Sequence, residues 1–135
     1  MAGYSGKPLW QKLGLKPGMR AVAINPPAAY RDLLGDGAPE LSWGSDLVAE
    51  TEVLHVFADK CAPLETALTN ARHLIAQDGM IWVSWPKKAS KLPSEITEDT
   101  VRAIALPMGL VDVKVCAVSD IWSGLKLVIR KELRT

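Results

Sequence analysis

Two hydrophobic patterns follow one another along the chain, and each predicts a different kind of strand. The earlier segments contain short runs that are almost continuously apolar, which is typical of strands covered on both faces. These runs are 21–24, 53–57 and 80–85. The later segments 111–117 and 125–129 instead alternate apolar and polar residues, which predicts half-exposed strands. The sequence therefore predicts buried strands first and a hairpin last.

Apolar residues three and four positions apart predict helices between these strands. The clearest helix begins near Pro63 and carries its apolar stripe as far as Ile75, with Gly79 as a left-handed cap. Thr97 is expected to cap a later helix whose first turn is acidic. The remaining predicted elements are two short helices, a weak strand and a flexible basic loop, at 8–13, 28–34, 40–43 and 87–94.

The order of these elements predicts an α/β domain. Right-handed crossovers would make the early strands parallel. The last strand must run antiparallel, because the link 120–124 is too short for a crossover. We expect one twisted sheet with helices on both faces. At 135 residues the chain has the length of a single domain, 1–135, in which residues 1–7 form a surface arm.

Composition and charge exclude several classes of protein. Hydrophobic residues make up 48% of the chain and charged residues 23%, which is typical of a globular protein rather than a disordered one. The net charge of +1 gives no bulk attraction to nucleic acid or to an anionic membrane. No apolar run approaches the ~20 residues that span a bilayer, and the N-terminus lacks a signal-peptide core. We therefore expect a cytoplasmic, bacterial-type protein in which Cys61 and Cys116 are buried reduced thiols.

An open α/β sheet binds its ligands outside the carboxyl ends of its strands, and this rule identifies candidate site residues. The central strand at 80–85 ends in a proline and two lysines, whose ammonium groups can bind a phosphate or a carboxylate. The first strand ends at an asparagine, and the hairpin turn brings polar and aromatic residues to the same edge. The candidate ligand-binding residues are Asn25, Trp85, Lys87, Lys88, Asp120, Trp122 and Ser123.

Familiar catalytic and metal-binding patterns are absent from the sequence. It contains no nucleophile elbow, no Walker-type phosphate loop and no cysteine–histidine cluster. The only histidines are His55, inside an apolar strand, and His73, on the polar side of a helix. We expect His55 to be a hydrogen-bonded core residue, His73 to be solvated, and Trp82 to pack in the core. The sequence therefore predicts no catalytic residue and no metal site.

Several stretches resemble a family of short bacterial proteins of unknown function. The resemblance lies in the opening Tyr4–Leu9, in the 82–88 stretch Trp-Val-Ser-Trp-Pro-Lys-Lys, in Thr97–Asp99, and in the ending 122–131. It covers nearly the whole chain. It implies no particular activity.

The order of elements also resembles the Rossmann-like domain of S-adenosylmethionine-dependent methyltransferases. Residues 16–20 and the strand after them are similar to the start of the cofactor motif, and residues 71–80 are similar to a later helix, turn and strand. The resemblance implies a three-layer, methyltransferase-like fold with a mostly parallel sheet and an antiparallel C-terminal hairpin. It also implies a cofactor site, but the glycine-rich turn of that family is replaced here by the residues 25–27, Asn-Pro-Pro. Asp46 is the nearest acidic residue to the expected ribose position.

These observations leave three hypotheses for function. We favour a non-catalytic, methyltransferase-like module that binds a small anionic ligand or a protein partner at the carboxyl edge of the sheet, with no cofactor. The alternative is an S-adenosylmethionine-dependent methyltransferase with an aberrant cofactor loop. The third is a structural protein whose C-terminal hairpin docks on another chain, although Lys114, Lys126 and Arg130 are of a kind that protects a sheet edge from pairing. The identity of the ligand, the partner and the oligomeric state stay open.

Overall fold

The computed structural model describes residues 7–135, and its centre is one six-stranded sheet. The predicted surface arm at 1–7 lies outside the described residues except for Lys7, which is exposed. The strands are β1 (Arg20–Ile24), β2 (Ser42–Gly44), β3 (Thr51–Phe57), β4 (Ile75–Pro86), β5 (Leu110–Ala117) and β6 (Trp122–Ile129). The helices are α1 (Leu9–Leu13), α2 (Tyr30–Leu33), α3 (Cys61–Leu74) and α4 (Glu98–Ala105). Each predicted helix and strand is present, including the weak strand at 40–43, which forms β2.

The strands lie in the order β2-β1-β3-β4-β6-β5. Strands β1 to β4 pair in parallel, and β6 is antiparallel to both β4 and β5. The predicted α/β fold, with a mostly parallel sheet and an antiparallel C-terminal hairpin, is thus confirmed. The chain leaves β1 on one side to form β2 and returns on the other side to form β3. The strand order therefore reverses between β1 and β3.

Alternate side chains of the central strands enter two separate cores, because successive residues of a strand point to opposite faces of a sheet. On one face Val53 and Phe57 of β3 join a cluster with residues of α1 and α2. On the other face Leu54 and Val56 join a cluster with residues of α3 and α4. We call these the α1/α2 face and the α3/α4 face. Helices on both faces are what the continuous apolar runs predict.

Trp82 connects β4 to the first helix. Its side chain is 0% exposed, and its Nε1 donates a hydrogen bond of 3.0 Å to the carbonyl oxygen of Leu13. Helix α1 ends there as predicted, with Gly14 in the left-handed region at φ +78. The bond satisfies the buried indole N–H together with a carbonyl that the helix end leaves without an intrahelical partner. The prediction that Trp82 packs in the core is confirmed.

The boundary between α3 and β4 differs from the predicted one. Helix α3 ends at Leu74 and β4 begins at the next residue, so Ile75 belongs to the strand and not to the helical stripe. Gly79 does not cap the helix, and its φ is not positive. It lies within β4, where a Cβ would come within 2.9 Å of the carbonyl oxygen of Glu52. The prediction of Gly79 as a helix cap is therefore wrong. It could arise because a left-handed helix cap and a close approach of two backbone segments both favour glycine.

The period-two prediction for β5 holds only in part. The register opposite β6 shifts between Asp112 and Lys114, so Val113 is an extra residue that interrupts the alternation. Val113 and Val115 are 53% and 49% exposed, whereas Leu110 is fully buried. Strand β5 is at the edge of the sheet, where such an irregularity disfavours pairing with another strand.

Helix α4 begins where the sequence predicts. The hydroxyl of Thr97 accepts a hydrogen bond of 3.2 Å from the N–H of Thr100, and the hydroxyl of Thr100 accepts one of 3.1 Å from the N–H of Thr97. This reciprocal capping box satisfies two N–H groups that would otherwise lack partners. The acidic Glu98 and Asp99 follow in the first turn, as expected. The start of α4 is therefore fixed in place, and it forms part of the cavity described next.

Candidate functional site

A cavity of about 530 Å³ opens at the carboxyl end of β4, on the α3/α4 face of the sheet. This volume lies within the range of about 300–1,000 Å³ that is typical of small-molecule sites. We call it the basic pocket. Its lining includes Trp85, Lys87, Lys88, Lys91, Leu92 and Ser123. Four of the seven predicted site residues therefore meet in one cavity.

The loop after β4 is shaped by its own hydrogen bonds. The N–H of Lys87 donates to the carbonyl oxygen of Ile121 at 2.7 Å, which extends the contact between β4 and the hairpin. A single 3₁₀ turn follows at Lys88–Ser90, and the hydroxyl of Ser90 donates to the carbonyl oxygen of Lys87 at 2.6 Å. Lys91 then adopts a left-handed backbone with φ +62. This turn brings all three lysines of the loop to the same cavity, although the sequence predicts only a flexible loop.

The charges that line the basic pocket are mostly positive. None of its three lysines takes part in an ion pair in the described part of the chain. Glu98 is the one carboxylate of the lining, and it is paired with Arg102. Arg102 also donates a hydrogen bond of 3.0 Å to Asp112, and its hydrogen bonds to Asp112 and Glu98 raise the pKa of the guanidinium above its usual value. Among the described residues the pocket thus holds three ammonium groups without ion-pair partners and one carboxylate, whose partner Arg102 is shared with Asp99 and Asp112.

Apolar residues also line the basic pocket. Trp85 and Ile96 belong to the core of the α3/α4 face and are only 6% and 3% exposed, so small parts of them reach the cavity. Leu92 is much more open, at 49% exposed, and Pro86 also lines the cavity. A ligand in the basic pocket would therefore meet both charge and apolar surface.

The register of the hairpin separates two predicted site residues that are neighbours in sequence. Ser123 pairs with Trp85 and lines the basic pocket. Trp122 pairs with Pro86 and packs against Phe57 in an edge-to-face contact with ring centroids 5.0 Å apart, which places it on the α1/α2 face. Because side chains alternate along a strand, the two residues cannot line the same cavity from regular strand positions.

The other two predicted site residues also lie away from the basic pocket. Asp120 is exposed in the turn of the hairpin. Asn25 is exposed at the end of β1 with a left-handed φ of +53. Strand β1 is two positions from β4, which is about 10 Å across a sheet. Sequence reasoning instead missed Lys91, Leu92 and Ile96, of which Lys91 could have been found as a third lysine in the same loop.

A second, smaller cavity of about 260 Å³ lies where β1 and β2 end, and we call it the β1/β2 corner. Its lining includes Pro26, Pro27 and Trp43. The guanidinium of Arg31 lies 4.2 Å from the ring centroid of Trp43, and Tyr30 makes an edge-to-face contact with the same ring at 5.9 Å. Side chains of the protein itself therefore cover both the face and the edge of Trp43.

A buried chain of hydrogen bonds links α2, β3 and β4. His55 Nδ1 lies 2.9 Å from the Tyr30 hydroxyl, and His55 Nε2 lies 2.8 Å from the Ser84 hydroxyl. All three side chains are buried. Burial lowers the pKa of His55 to about 3 and raises the pKa of the Tyr30 phenol above its usual value. The prediction of a hydrogen-bonded core histidine is confirmed, and the exposure of His73 agrees with its prediction.

The hydrogen-bonded side chains of Ser84, His55 and Tyr30 are connected like a nucleophile, a base and an orienting group. Their burial prevents nucleophilic catalysis. A reacting atom must come within about 3–3.5 Å of the nucleophile. Ser84 is 0% exposed, and neither Ser84 nor His55 lines the basic pocket or the β1/β2 corner. We therefore assign this hydrogen-bond network a structural role. It satisfies three buried polar side chains and holds the short helix α2 against the sheet.

Metal and membrane features are missing from the part of the chain that the structure describes. Within residues 7–135 no group of three or more histidine, cysteine or acidic residues could hold a metal ion. None of the described helices is long and apolar enough to cross a membrane. Cys61 and Cys116 are free thiols, but both are only partly buried, so the expectation of full burial is wrong.

Comparison with known families places the chain among proteins of unknown function. The model of the protein family of unknown function DUF3052 matches residues 41–131. The chain belongs to this family. The matched part runs from β2 to β6 and contains every residue of the basic pocket. The expected resemblance to a family of unknown function is thus confirmed. No curated protein sequence matches the chain.

The fold of this DUF3052 protein is similar to that of solved methyltransferases. The N-methyltransferase NodS from Bradyrhizobium japonicum aligns with a TM-score of 0.59 at 14% identity, over 87% of this chain and 90% of NodS. Magnesium protoporphyrin IX methyltransferase ChlM from Synechocystis, with bound S-adenosylmethionine, gives 0.57 at 13% identity, over 90% and 74%. LepI in complex with S-adenosylmethionine gives 0.55 at 12% identity over 90% of this chain, which spans only 39% of LepI. These similarities confirm the Rossmann-like, methyltransferase-like fold.

The residues at the expected cofactor position of the DUF3052 protein do not fit S-adenosylmethionine. Pro26 and Pro27 follow β1, where they supply no N–H donors and carry rings in place of the hydrogen atoms of glycine. Trp43 lies in the middle of β2 with the guanidinium of Arg31 over its ring, and Asp46 is exposed beyond the strand. A Cβ on the nearby Gly44 would make only ordinary contacts at 3.7 Å, so no tight approach to the backbone depends on glycine at this position.

Proposed function

We propose that this DUF3052 protein is a non-catalytic module with a methyltransferase-like fold that binds a small anionic ligand in the basic pocket. The observation that carries the proposal is the convergence of three lysines, without ion-pair partners among the described residues, on one cavity of about 530 Å³. Each ammonium group contributes a compact positive charge and three donors. A protein partner that presents a carboxylate or a phosphate would use the same groups.

The expected contribution of these lysines to affinity is modest. Contacts between exposed opposite charges contribute about 0.2–1 kcal/mol each. Removing two lysines should therefore weaken binding by roughly 0.4–2 kcal/mol, which corresponds to about twofold to thirtyfold in Kd. The affinity should also fall as salt is added, because the screening length shrinks from about 10 Å at 0.1 M to about 3 Å at 1 M.

The decisive test compares the double variant Lys87→Ala, Lys88→Ala with the wild-type protein. Isothermal calorimetry with inorganic phosphate and phenyl phosphate should show weaker binding to the double variant, at an unchanged melting temperature. The matched control is Lys16→Ala, which removes an exposed lysine that does not line the pocket. Equal affinity of the double variant and the wild type for both anions would contradict the proposal, and so would the absence of binding to the wild type.

A second candidate function is S-adenosylmethionine-dependent methyl transfer, which the fold similarity favours. The prolines after β1 and the stacked Arg31 and Trp43 speak against it. Calorimetry with S-adenosylmethionine at millimolar concentration distinguishes the two candidates. Heat of binding would support this second function, and its absence would eliminate it.

A further inference from the structure

The lining of the basic pocket restricts the chemistry of its ligand more narrowly than charge alone does. Part of the lining is charged and contains Lys87, Lys88 and Lys91. Another part is apolar and contains Leu92, which is 49% exposed, and the buried Trp85. An inorganic anion would use only the charged part and would leave most of a cavity of about 530 Å³ to water. A ligand that uses both parts has a charged group and an apolar group.

The charged group is better matched by a phosphate than by a carboxylate. No arginine is among the residues that line the pocket, so the planar fork that pairs with a carboxylate is missing. Lysine binds phosphate as a point charge, and a phosphomonoester carries about −1.5 to −2 charges and three acceptor oxygens at neutral pH. The three ammonium groups carry enough positive charge for such a dianion even when the carboxylate of Glu98 is counted against them.

A hydroxyl group in the lining of the pocket adds a further donor. Ser123 is half-buried beside Trp85 and lines the cavity, and its hydroxyl makes no hydrogen bond to the described residues. A serine hydroxyl can donate to a phosphate oxygen while the lysines neutralise its charge. The donor set therefore resembles what a compact group with several oxygens needs.

We infer that the ligand of the basic pocket is a phosphomonoester whose organic group is small and apolar. The phosphate is bound by the lysines and Ser123, and the organic group covers Leu92 and the exposed edge of Trp85. This inference rests on the proposed function, because it specifies the anion that the same site binds. It adds a requirement that the proposed function lacks, namely that the apolar residues of the lining contribute to affinity.

Four probes in calorimetry with the full chain separate the two parts of the ligand: phenyl phosphate, inorganic phosphate, benzoate and phenol. We expect phenyl phosphate to bind about tenfold more tightly than inorganic phosphate and benzoate, and phenol to give no measurable binding. Equal affinities for phenyl phosphate and inorganic phosphate would overturn the inference and leave the proposed function standing. Tighter binding of benzoate than of phenyl phosphate would overturn the assignment of the phosphate. If none of the three anions binds, the proposed function itself fails.

A pair of variants locates the apolar contact. Leu92→Ser should weaken the binding of phenyl phosphate about threefold to tenfold and leave inorganic phosphate unchanged. Val113→Ser is the matched control, because it alters an equally exposed apolar residue on β5 that does not line the pocket. Both residues are exposed, so both variants should keep the melting temperature of the wild type. The same phenyl phosphate affinity in the two variants would show that Leu92 is not part of the site and would overturn the inference.

Discussion

His55 should make the stability of this protein sensitive to mild acid. The ring is buried, both its nitrogens have partners, and burial lowers its pKa from 6.5 to about 3. In the unfolded chain the histidine takes up a proton near its ordinary pKa of about 6.5. Between these two values protons bind the unfolded chain and not the folded one, so the free energy of unfolding falls as the pH falls below about 6.5.

The magnitude follows from the protonation of the unfolded chain. There the histidine is about a quarter protonated at pH 7 and almost fully protonated at pH 5. The free energy of unfolding should therefore drop by roughly 2 kcal/mol between these two pH values, with a slope that approaches about 1.4 kcal/mol per pH unit. The result depends little on the folded-state pKa as long as that value lies well below 5. A loss of this size is a large part of the roughly 5–15 kcal/mol that stabilises a typical domain.

Urea unfolding followed by far-UV circular dichroism at pH 7, 6 and 5 measures this effect. His55→Gln should be less stable than the wild type at pH 7, but it should lose about 2 kcal/mol less on going to pH 5. The matched control is His73→Gln, which removes an exposed histidine of α3 and should keep the wild-type pH dependence. If the wild type and His55→Gln lose the same free energy between pH 7 and pH 5, His55 is not the group that couples stability to protons.

Two further substitutions test the geometry of β4 and of the loop after it. Gly79→Ala should destabilise the protein by about 1–3 kcal/mol in urea unfolding, because the new Cβ would lie 2.9 Å from both the Glu52 carbonyl oxygen and Cγ1 of Ile75. The control Gly44→Ala should be nearly neutral. Lys91→Gly should raise the melting temperature slightly, because glycine adopts the left-handed φ of +62 without strain. The same variant should weaken phosphate binding. A lower melting temperature would contradict this account of the loop.

The sheet and its two cores could be predicted because their signals are local. A strand that is covered on both faces needs an apolar residue at nearly every position, and the runs 53–57 and 80–85 meet that requirement. The short link before β6 fixes its antiparallel direction in the same way, by length alone. The capping of α4 by Thr97 is also local, since its partner Thr100 lies three residues away. Element type and order therefore follow from neighbouring residues.

The composition of the candidate site could be predicted only in part, because it depends on register. A shift of one residue moves a side chain to the other face of a sheet. The pairing of Ser123 with Trp85 places that serine in the basic pocket, and it sends Trp122 to the opposite face against Phe57. From the sequence we could predict that these residues lie at one edge of the sheet, but not which residues pair with each other. The bulge at Val113 is a second register feature that no local pattern reveals.

The buried hydrogen-bond network around His55 shows a further limit of prediction from local sequence patterns. The sequence identifies His55 as a core histidine from its apolar neighbours. Its partners Tyr30 and Ser84 lie 25 and 29 residues away along the chain, on other elements. Only the packing of α2 over β3 and β4 brings the three side chains together. Many pairs of polar residues could satisfy such a histidine, and the sequence gives no reason to choose this one.

The two cavities lie at different positions along the carboxyl edge of this methyltransferase-like sheet. Open α/β sheets bind ligands where the strand order reverses, which here is between β1 and β3. Beside that point the β1/β2 corner is lined by Pro26 and Pro27 and covered by Arg31 stacked on Trp43. The larger cavity lies two strands away at β4, where lysines rather than prolines follow the strand. The DUF3052 family model matches residues 41–131, so the proposed site in the basic pocket lies inside the matched part of the chain and the loop after β1 lies outside it.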